Sequence, residues 1–285
     1  MKQRIITAAI GIPIVLGALL APTPWVWGVL VTVATILCLR EYGELTNTNG
    51  GIMMPVTLVS LVLIAYSRAG AENRATMLAL LLLIGMAGSA LVPVLDKRTG
   101  GPRRSSDPTP DGIGEGVASG RAADLAPNMG ALMGVFILFA SGLALILGQA
   151  IKLGSINAAL LAMVPIWAGD TAAIFAGKAF GKHKLAPTIS PNKTWEGSIA
   201  NLLACIAATF ALGLPNHVSP LACALVGLST GILGQLGDLY ESLLKRRAGV
   251  KDSGTLLPGH GGIYDRIDSL MMSAAPSILI LMSLR

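Results

Sequence analysis

Residues 129–150 read MGALMGVFILFASGLALILGQA, a run without a single charged side chain. A helix crosses the hydrocarbon core of a bilayer with roughly 20 mostly apolar residues, so this run is long enough to span a membrane. Further apolar runs of similar character occupy residues 5–21, 25–39, 52–67, 75–95, 155–177, 198–214, 219–239 and 268–284. The sequence therefore predicts an all-α, polytopic integral membrane protein with about nine transmembrane helices.

The composition favours the same class of protein. The 285 residues are 53% hydrophobic and 13% charged, whereas a soluble domain carries roughly 25% charged residues. Too few charged side chains remain to cover a soluble fold of this size. Cys38, Cys205 and Cys223 each lie inside an apolar run and lack metal-ligand spacing. We therefore expect buried thiols rather than a disulfide framework.

The basic residues predict an orientation. If all of these runs cross the membrane, all but four of the 21 lysines and arginines fall on one side. Cytoplasmic loops collect Lys and Arg, so we expect the N-terminus and the largest loops in the cytoplasm and the C-terminus outside, in the cytoplasmic (inner) membrane. The net charge of +6 suits a face that attracts anionic lipid headgroups and nucleotide phosphates. Nucleic acid is not expected as a partner, because no soluble basic domain is present.

One segment, residues 97–128, differs from the rest of the chain. It is rich in Gly, Pro and Ser, a composition that buries too little apolar surface to offset the entropy of ordering. We interpret it as a flexible cytoplasmic loop, with a lid or a partner-docking segment as the alternative. It ends an N-terminal transmembrane region, residues 1–128, with four spans. The C-terminal region, residues 129–285, has five spans and is expected to be catalytic.

Polar residues that suggest a functional site occur mainly after residue 165. Asp170 lies near an apolar helix and Asp238 lies at the end of another. An ionisable group inside a span is costly and suggests a functional site; the alternative is a carboxylate that reaches water at a helix end. The segment GKHKLAPTISPNKTWEG, residues 181–197, then offers cations and hydroxyls suited to phosphate oxygens, namely Lys182, His183, Lys184, Ser190, Lys193 and Thr194. A basic cluster that only sets the topology is the alternative for this segment.

The loop SLLKRRAGVKDSGTLLPGHGGIYDRID, residues 242–268, is the most informative segment. Asp265 and Asp268 are three residues apart, so they share a helix face if the last helix begins near Tyr264. Carboxylates of this kind suit Mg²⁺, which usually takes one or two protein carboxylates plus substrate phosphates. We therefore expect Asp238 and Asp265 to bind Mg²⁺, with Asp268 and Asp170 as further candidates.

The same loop provides positive charge and a single imidazole. The cations suited to neutralising phosphates are Lys245, Arg246, Lys251 and Arg266. His260 is a candidate acid, base or phosphate contact, or else a residue that only caps the helix. Metal, cations and positioning, with little covalent chemistry from the protein, are typical of phosphoryl and nucleotidyl transfer.

Residues 242–268 resemble the signature of the phosphatidate cytidylyltransferase family. The matching elements are Ser-x-apolar-Lys-Arg, Lys-Asp-x-small, and His-Gly-Gly-apolar-x-Asp-Arg-apolar-Asp. Residues 169–197 resemble a second block of that family, with Gly-Asp-Thr, Gly-Lys-His-Lys-Leu and Ser-Pro-x-Lys-Thr-x-Glu-Gly. The close resemblance covers residues 167–268, and the first half of the chain is similar only in its pattern of spans.

The resemblance implies an activity and its requirements. In that family, CMP passes from CTP to phosphatidic acid, giving CDP-diacylglycerol and pyrophosphate for phospholipid biosynthesis. It further implies Mg²⁺ at Asp238 and Asp265, K⁺ as a candidate second cation, and a homodimer. Ser242 joins the candidate substrate-binding residues and Asp252 the candidate catalytic residues, because both occupy signature positions.

Other functions remain as alternatives. A transporter or channel would favour charges near the middle of the bilayer rather than at one surface. A CDP-alcohol phosphatidyltransferase is expected to carry Asp-Gly-x-x-Ala-Arg followed by paired aspartates, which this sequence lacks. A CTP-dependent lipid kinase that resembles dolichol kinase is closer in chemistry. A purely structural membrane protein would not need the acidic, basic and glycine-rich loop.

Overall fold

The computed structural model of the protein describes residues 2–21, 24–46, 126–257, 259 and 261–284. The helices are α1 (Lys2–Leu20), α2 (Pro24–Thr46), α3 (Ala126–Ala150), α4 (Ala158–Phe180), α5 (Trp195–Gly213), α6 (Pro220–Leu228), α7 (Gly234–Arg247) and α8 (Tyr264–Leu284). A 3₁₀ turn, Leu214–Asn216, follows α5, and a π-helical segment, Ser229–Leu233, joins α6 to α7.

Seven of the expected spans coincide with helices in this part of the chain. Five helical stretches are long and apolar enough to cross a bilayer, namely Val26–Thr46, Ala158–Phe180, Trp195–Asn216, Pro220–Arg247 and Tyr264–Leu284. The expected spans 52–67 and 75–95, and the expected loop as far as residue 125, lie outside the described residues. The finding is therefore a mainly helical protein built to cross a membrane, while the total of nine spans stays a prediction.

Two short antiparallel hairpins lie in the connections between helices. Strand β1 (Lys152–Leu153) pairs with β2 (Ile156–Asn157), and β3 (Lys184–Ala186) pairs with β4 (Ser190–Thr194). The all-α expectation did not include them, because strands this short leave no alternating apolar pattern in the sequence. Most of the basic segment 181–197 lies in the β3–β4 hairpin, and this segment therefore has regular secondary structure.

Side chains at the helix starts explain where several helices begin. Asn157 accepts a hydrogen bond from the Leu160 N–H at the start of α4, and Ser219 accepts one from the Ala222 N–H at the start of α6. Pro220 follows Ser219 as the first residue of α6. Asn and Ser are preferred at this capping position, and Pro is preferred directly after it. Local sequence therefore favours helix starts at these positions.

Helix α8 lies at the centre of the described bundle and packs against α2, α3, α4, α6 and α7. Its buried face combines apolar residues such as Leu270 and Ile278 with the small residues Ser269, Ser273 and Ser277. Small residues let membrane helices approach closely. Large apolar side chains on the outside of the bundle, such as those of Phe175, Leu203 and Leu221, are more than half exposed, as expected for helices that face lipid.

Helices α1 and α2 belong to the same core as the C-terminal helices. The Trp27 indole on α2 donates a hydrogen bond to the Leu145 carbonyl on α3 at 2.8 Å. Asn157, just before α4, donates to the Leu19 carbonyl on α1 at 3.1 Å. At the other end of α2, beside Glu41, the hydroxyls of Tyr42 and of Tyr240 on α7 are hydrogen-bonded at 3.0 Å, so this end lies against the part of the chain expected to be catalytic.

Candidate active site

The helices that carry the predicted site residues meet at one end of the bundle. The connection 181–194 joins α4 to α5, and the connection 248–263 joins α7 to α8. The end of α7 contacts the first of these connections, because Arg246 donates to the Ile189 carbonyl in the β3–β4 hairpin at 3.4 Å. The two segments that the sequence singled out therefore form a single site at one face of the protein.

Three carboxyl groups form the centre of this site. Asp238 and Glu241 on α7 and Asp268 on α8 each offer an oxygen, and these oxygens all lie within 4.8 Å of one another. Asp238 and Glu241 are three residues apart, which puts them on one face of α7. Among the described residues this is the one group of three or more potential metal ligands.

Gly237 brings the two helices close enough to form the group. A Cβ atom at Gly237 would overlap the Asp268 carbonyl oxygen and lie 3.5 Å from the Ser269 Cα. Any side chain there would push α7 away from α8. The π-helical segment just before α7 changes the helical register, and such segments occur often at functional sites.

Glu241 is a site residue that the sequence reasoning missed. Its side chain is 1% exposed, and its Oε2 lies 2.6 Å from the Lys245 Nζ. Within the described part of the chain, no donor reaches its Oε1. A buried carboxylate oxygen without a partner is costly. The available signal was its position three residues after Asp238 on the same helix.

The donor set fits a hard divalent cation. Three carboxylates at this spacing provide the oxygen ligands that Mg²⁺ prefers. The unpartnered Glu241 oxygen is the kind of atom that such an ion satisfies.

Asp265 does not belong to this group of three. Its Oδ1 accepts from Lys245 Nζ at 2.6 Å, and its Oδ2 accepts from the backbone N–H groups of Ser253 and Gly262, both at 2.8 Å. It also adjoins the Glu241 carboxyl group. The structure therefore gives Asp265 protein partners at both oxygens, whereas Asp238 shares its group with Glu241 and Asp268. Metal binding by Asp238 and Asp265 together stays a prediction.

Lys193 on β4 links the hairpin to the carboxylates. Its Nζ lies 2.5 Å from the Asp238 Oδ2, with both side chains about one-quarter exposed. Asp170 accepts a hydrogen bond from Asn201 at 3.2 Å and interacts electrostatically with Asp238 and Lys193. Asp170 therefore lies at the margin of the site rather than at its centre.

Two predicted phosphate contacts in the hairpin have structural partners. The Thr194 hydroxyl accepts from the Gly197 N–H and caps α5, and its side chain is buried. The His183 Nδ1 lies 2.7 Å from the Glu196 Oε1, and its backbone N–H also donates to Glu196. These contacts fix the hairpin on the start of α5. A role in binding substrate stays a prediction for both residues.

The remaining predicted residues surround this centre. The Ser242 hydroxyl donates to the Asp238 Oδ1 at 3.4 Å, and Ser190 is half-buried at the start of β4. The exposed residues are Lys182, Lys184, Arg246, Lys251, Asp252 and Arg266. None of these basic side chains forms an ion pair with another described residue, and His260 lies outside the described residues.

Gly261 shapes the loop that leads into α8. Its φ of 80° is a conformation that side chains disfavour. Its carbonyl accepts from the Leu257 N–H at 2.8 Å, which closes a tight turn. A Cβ at Gly261 would also overlap the Asp265 Oδ2. The turn thereby lets the next residue, Gly262, donate to Asp265.

A second missed residue comes from α2. The Glu41 carboxylate accepts hydrogen bonds from Ser253 in the 248–263 connection and from Ile263 and Tyr264 at the start of α8. The sequence offered no spacing that would reveal this, because 212 residues separate Glu41 from Ser253.

These features define a class: an integral membrane protein whose spanning helices gather carboxylates and basic side chains at one face. The model of the cytidylyltransferase family matches residues 2–284, and the chain belongs to that family.

Three similar proteins are named phosphatidate cytidylyltransferase. The chain is 34% identical to "Phosphatidate cytidylyltransferase" of Pseudomonas aeruginosa over 95% of this chain and 93% of that protein. Proteins of the same name from Bacillus subtilis and Haemophilus influenzae are 47% and 44% identical. In those two alignments the chain spans 46% and 41% of the relative's length.

Proposed function

We propose that the protein is a CTP:phosphatidate cytidylyltransferase, which transfers CMP from CTP to phosphatidic acid and gives CDP-diacylglycerol and pyrophosphate. The observation that carries the proposal is the group formed by Asp238, Glu241 and Asp268 under basic loops at one membrane face. The shared family and the full-length similarity to the Pseudomonas protein support the choice of reaction.

Magnesium is the cofactor that this donor set suits best. Asp238, Glu241 and Asp268 would hold it, with Asp170 close enough to influence the site. When bound, the ion neutralises phosphate charge and polarises the phosphoryl oxygens. We retain K⁺ as a candidate second cation through the family resemblance alone. Asp265 acts in this proposal mainly by holding Lys245.

The chain's own residues bind and orient the two substrates. Arg246, Lys251 and Arg266 are exposed on α7, on the 248–263 connection and on α8, the elements that carry or adjoin the carboxylates, and in this proposal they contact the triphosphate and the lipid phosphate. Lys184 and Lys193 contribute further positive charge from the β3–β4 hairpin. Charge-assisted contacts of this kind position phosphates and offset the charge that develops in the transition state.

The bond changes need no protein nucleophile. An ionised phosphate oxygen of phosphatidic acid attacks the α-phosphorus of CTP, a new P–O–P bond forms, and the bond to the β-phosphate oxygen breaks. Pyrophosphate leaves with that electron pair. Catalysis then comes from alignment and charge stabilisation rather than from a covalent intermediate.

The position of the site explains why such an enzyme is embedded in a membrane. A diacylated phosphate stays at the bilayer surface, so the soluble nucleotide must come to it. We propose that the site and the N-terminus face the cytoplasm, in the cytoplasmic (inner) membrane, because the basic residues collect there. A homodimer is part of the proposal through the family resemblance alone.

Turnover by the purified protein tests the proposal. The assay supplies phosphatidic acid in mixed micelles, Mg²⁺, and CTP, ATP, GTP or UTP in parallel. We expect CDP-diacylglycerol only with CTP, with no product after chelation or with the Asp238→Asn variant. Folded, lipid-supplied protein that makes no product from CTP would refute the proposal.

A further inference from the structure

Glu41 lies near the end of α2, outside every segment that the sequence assigned to catalysis. Its side chain is buried at 7% exposure. Its Oε2 accepts from the Ser253 hydroxyl at 2.7 Å and from the Tyr264 N–H at 2.9 Å. Its Oε1 accepts from the Ile263 N–H at 3.0 Å. One carboxylate thus joins the middle of the 248–263 connection to the start of α8.

The charge of Glu41 is met by hydrogen-bond donors rather than by a cation. Among the described residues it forms no ion pair, although Glu44 one turn later pairs with Arg40. The first N–H groups of a helix lack partners within the helix, and negative charge is favourable there. Glu41 therefore caps α8 from a different helix, so the position of α8 depends on α2.

A continuous series of contacts runs from Glu41 to the carboxylate group. The Ser253 hydroxyl lies 2.7 Å from Glu41 and 2.9 Å from the Asp265 Oδ2. A hydroxyl donates only one hydrogen bond at a time, so it is shared between the two carboxylates. Asp265 in turn binds Lys245, and Lys245 binds Glu241.

The loop fits closely around this carboxylate. A Cβ atom at Gly254 would lie 2.8 Å from the Glu41 Oε1. A Cβ atom at Gly262 would overlap the Glu41 Oε2 and the Ser253 hydroxyl. Both positions leave space only for glycine, so the loop has little freedom to adopt another arrangement while Glu41 is in place.

We propose that Glu41 is a positioning residue. It holds the 248–263 connection and the first turn of α8, and thereby keeps the side chains of Lys245, Asp265 and Asp268 in the positions that the site requires. It touches neither substrate nor metal. Its effect on turnover rests on the proposed cytidylyltransferase activity, whereas its effect on the loop does not.

The test compares Glu41→Gln with Glu44→Gln. Glutamine keeps the size of the side chain but turns an NH₂ group toward backbone donors. Hydrogen exchange of the Ile263 and Tyr264 amides measures the loop without reference to activity. We expect exchange to rise about tenfold or more in Glu41→Gln, since two buried hydrogen bonds weaken. Glu44→Gln should match the wild type, because Glu44 is exposed and remote from the loop.

Turnover gives the second readout. We expect kcat of Glu41→Gln to fall by about 10- to 100-fold, the range seen when a group that orients metal ligands is lost. KM for CTP should rise by a smaller factor, about threefold, because Lys251 and Arg266 lie in the loosened segment whereas Lys193 and Arg246 lie outside it. Glu41→Asp should recover part of kcat, since it keeps the charge and can accept at least one of the bonds.

Unchanged exchange in Glu41→Gln would overturn the proposal, as would an equal loss of kcat in Glu44→Gln. If Glu41→Gln does not fold, Glu41→Asp replaces it, because the shorter side chain keeps the charge but cannot reach all three of its donors, Ser253, Ile263 and Tyr264. Normal exchange at residues 262–264 in that variant would equally contradict the inference. If the wild type makes no CDP-diacylglycerol, the proposed function fails, and the exchange experiment still decides the role of Glu41.

Discussion

The Lys193 Nζ lies 2.5 Å from the Asp238 Oδ2, and this contact joins the β3–β4 hairpin to the carboxylates of α7. A lysine placed there neutralises one of the oxygens that we assign to a metal. The ammonium group and a divalent ion therefore compete for Asp238, and Lys193 is available for a phosphate once the ion is bound.

Replacing Lys193 by Met should raise the apparent affinity for Mg²⁺ and lower turnover. The Mg²⁺ concentration for half-maximal activity should fall by about fivefold, because a partly exposed ion pair of about 1 kcal/mol no longer competes. Turnover should fall at the same time, since a phosphate contact is lost. Initial rates across a Mg²⁺ titration measure both, and Lys178→Met, an exposed lysine in the last turn of α4, is the control. A higher Mg²⁺ requirement in Lys193→Met would refute the competition.

Replacing Glu241 by Gln should weaken metal binding directly. The Glu241 Oε1 is buried and lacks a partner among the described residues, so the metal is expected to satisfy it. Affinity for Mn²⁺, measured by electron paramagnetic resonance, should fall by about tenfold or more. Glu44→Gln, on the exposed side of α2, should bind Mn²⁺ like the wild type. Wild-type affinity in Glu241→Gln would remove Glu241 from the ligand set.

Replacing Gly237 by Ala should damage the site through packing. The added Cβ overlaps the Asp268 carbonyl oxygen, so α7 and α8 must separate. Turnover should fall by about tenfold or more, since the reacting groups move apart. Gly234→Ala is a matched control on the same helix, because its Cβ would have its nearest neighbour at 3.6 Å. Both changes favour helix formation equally, so equal activity in the two variants would argue against a packing requirement at Gly237.

Asp265→Asn and Asp268→Asn should separate positioning from metal binding. An Asn amide at residue 265 would turn NH₂ toward Lys245 or toward the backbone N–H groups of Ser253 and Gly262, all of which are donors. Both variants should lose about 100-fold or more in turnover while still inserting into the membrane. Mn²⁺ affinity should fall further in Asp268→Asn than in Asp265→Asn. An equal or larger fall in Asp265→Asn would restore Asp265 as a metal ligand.

The five membrane-capable helices were predictable from sequence, because the bilayer imposes a length and an apolar composition on each of them. Asp265 and Asp268 were expected to share the first turn of the last helix if that helix started near Tyr264, and α8 begins there. The expectation that Asp265 and Asp268 lie at the start of the last helix therefore agrees with the structure.

The partners of each carboxylate were not predictable in the same way. Spacing along one helix shows which residues share a face, but not which of them meets a neighbouring helix. Gly237 determines where α7 and α8 touch, and at that contact Asp268 is the α8 carboxylate that joins Asp238 and Glu241. Glu41 shows the same limit over a longer distance, since only the folded packing of α2 against α8 brings it to the loop.

The fate of individual phosphorus atoms tests the central claim most directly. Purified protein is given phosphatidic acid, Mg²⁺, and CTP labelled either at the α- or at the γ-phosphorus. We predict that the α-label enters the chloroform-soluble lipid and that the γ-label stays in water as pyrophosphate, with neither transferred by Asp238→Asn. Transfer of the γ-label to lipid, with the α-label left in water, would contradict the account and identify a CTP-dependent lipid kinase instead.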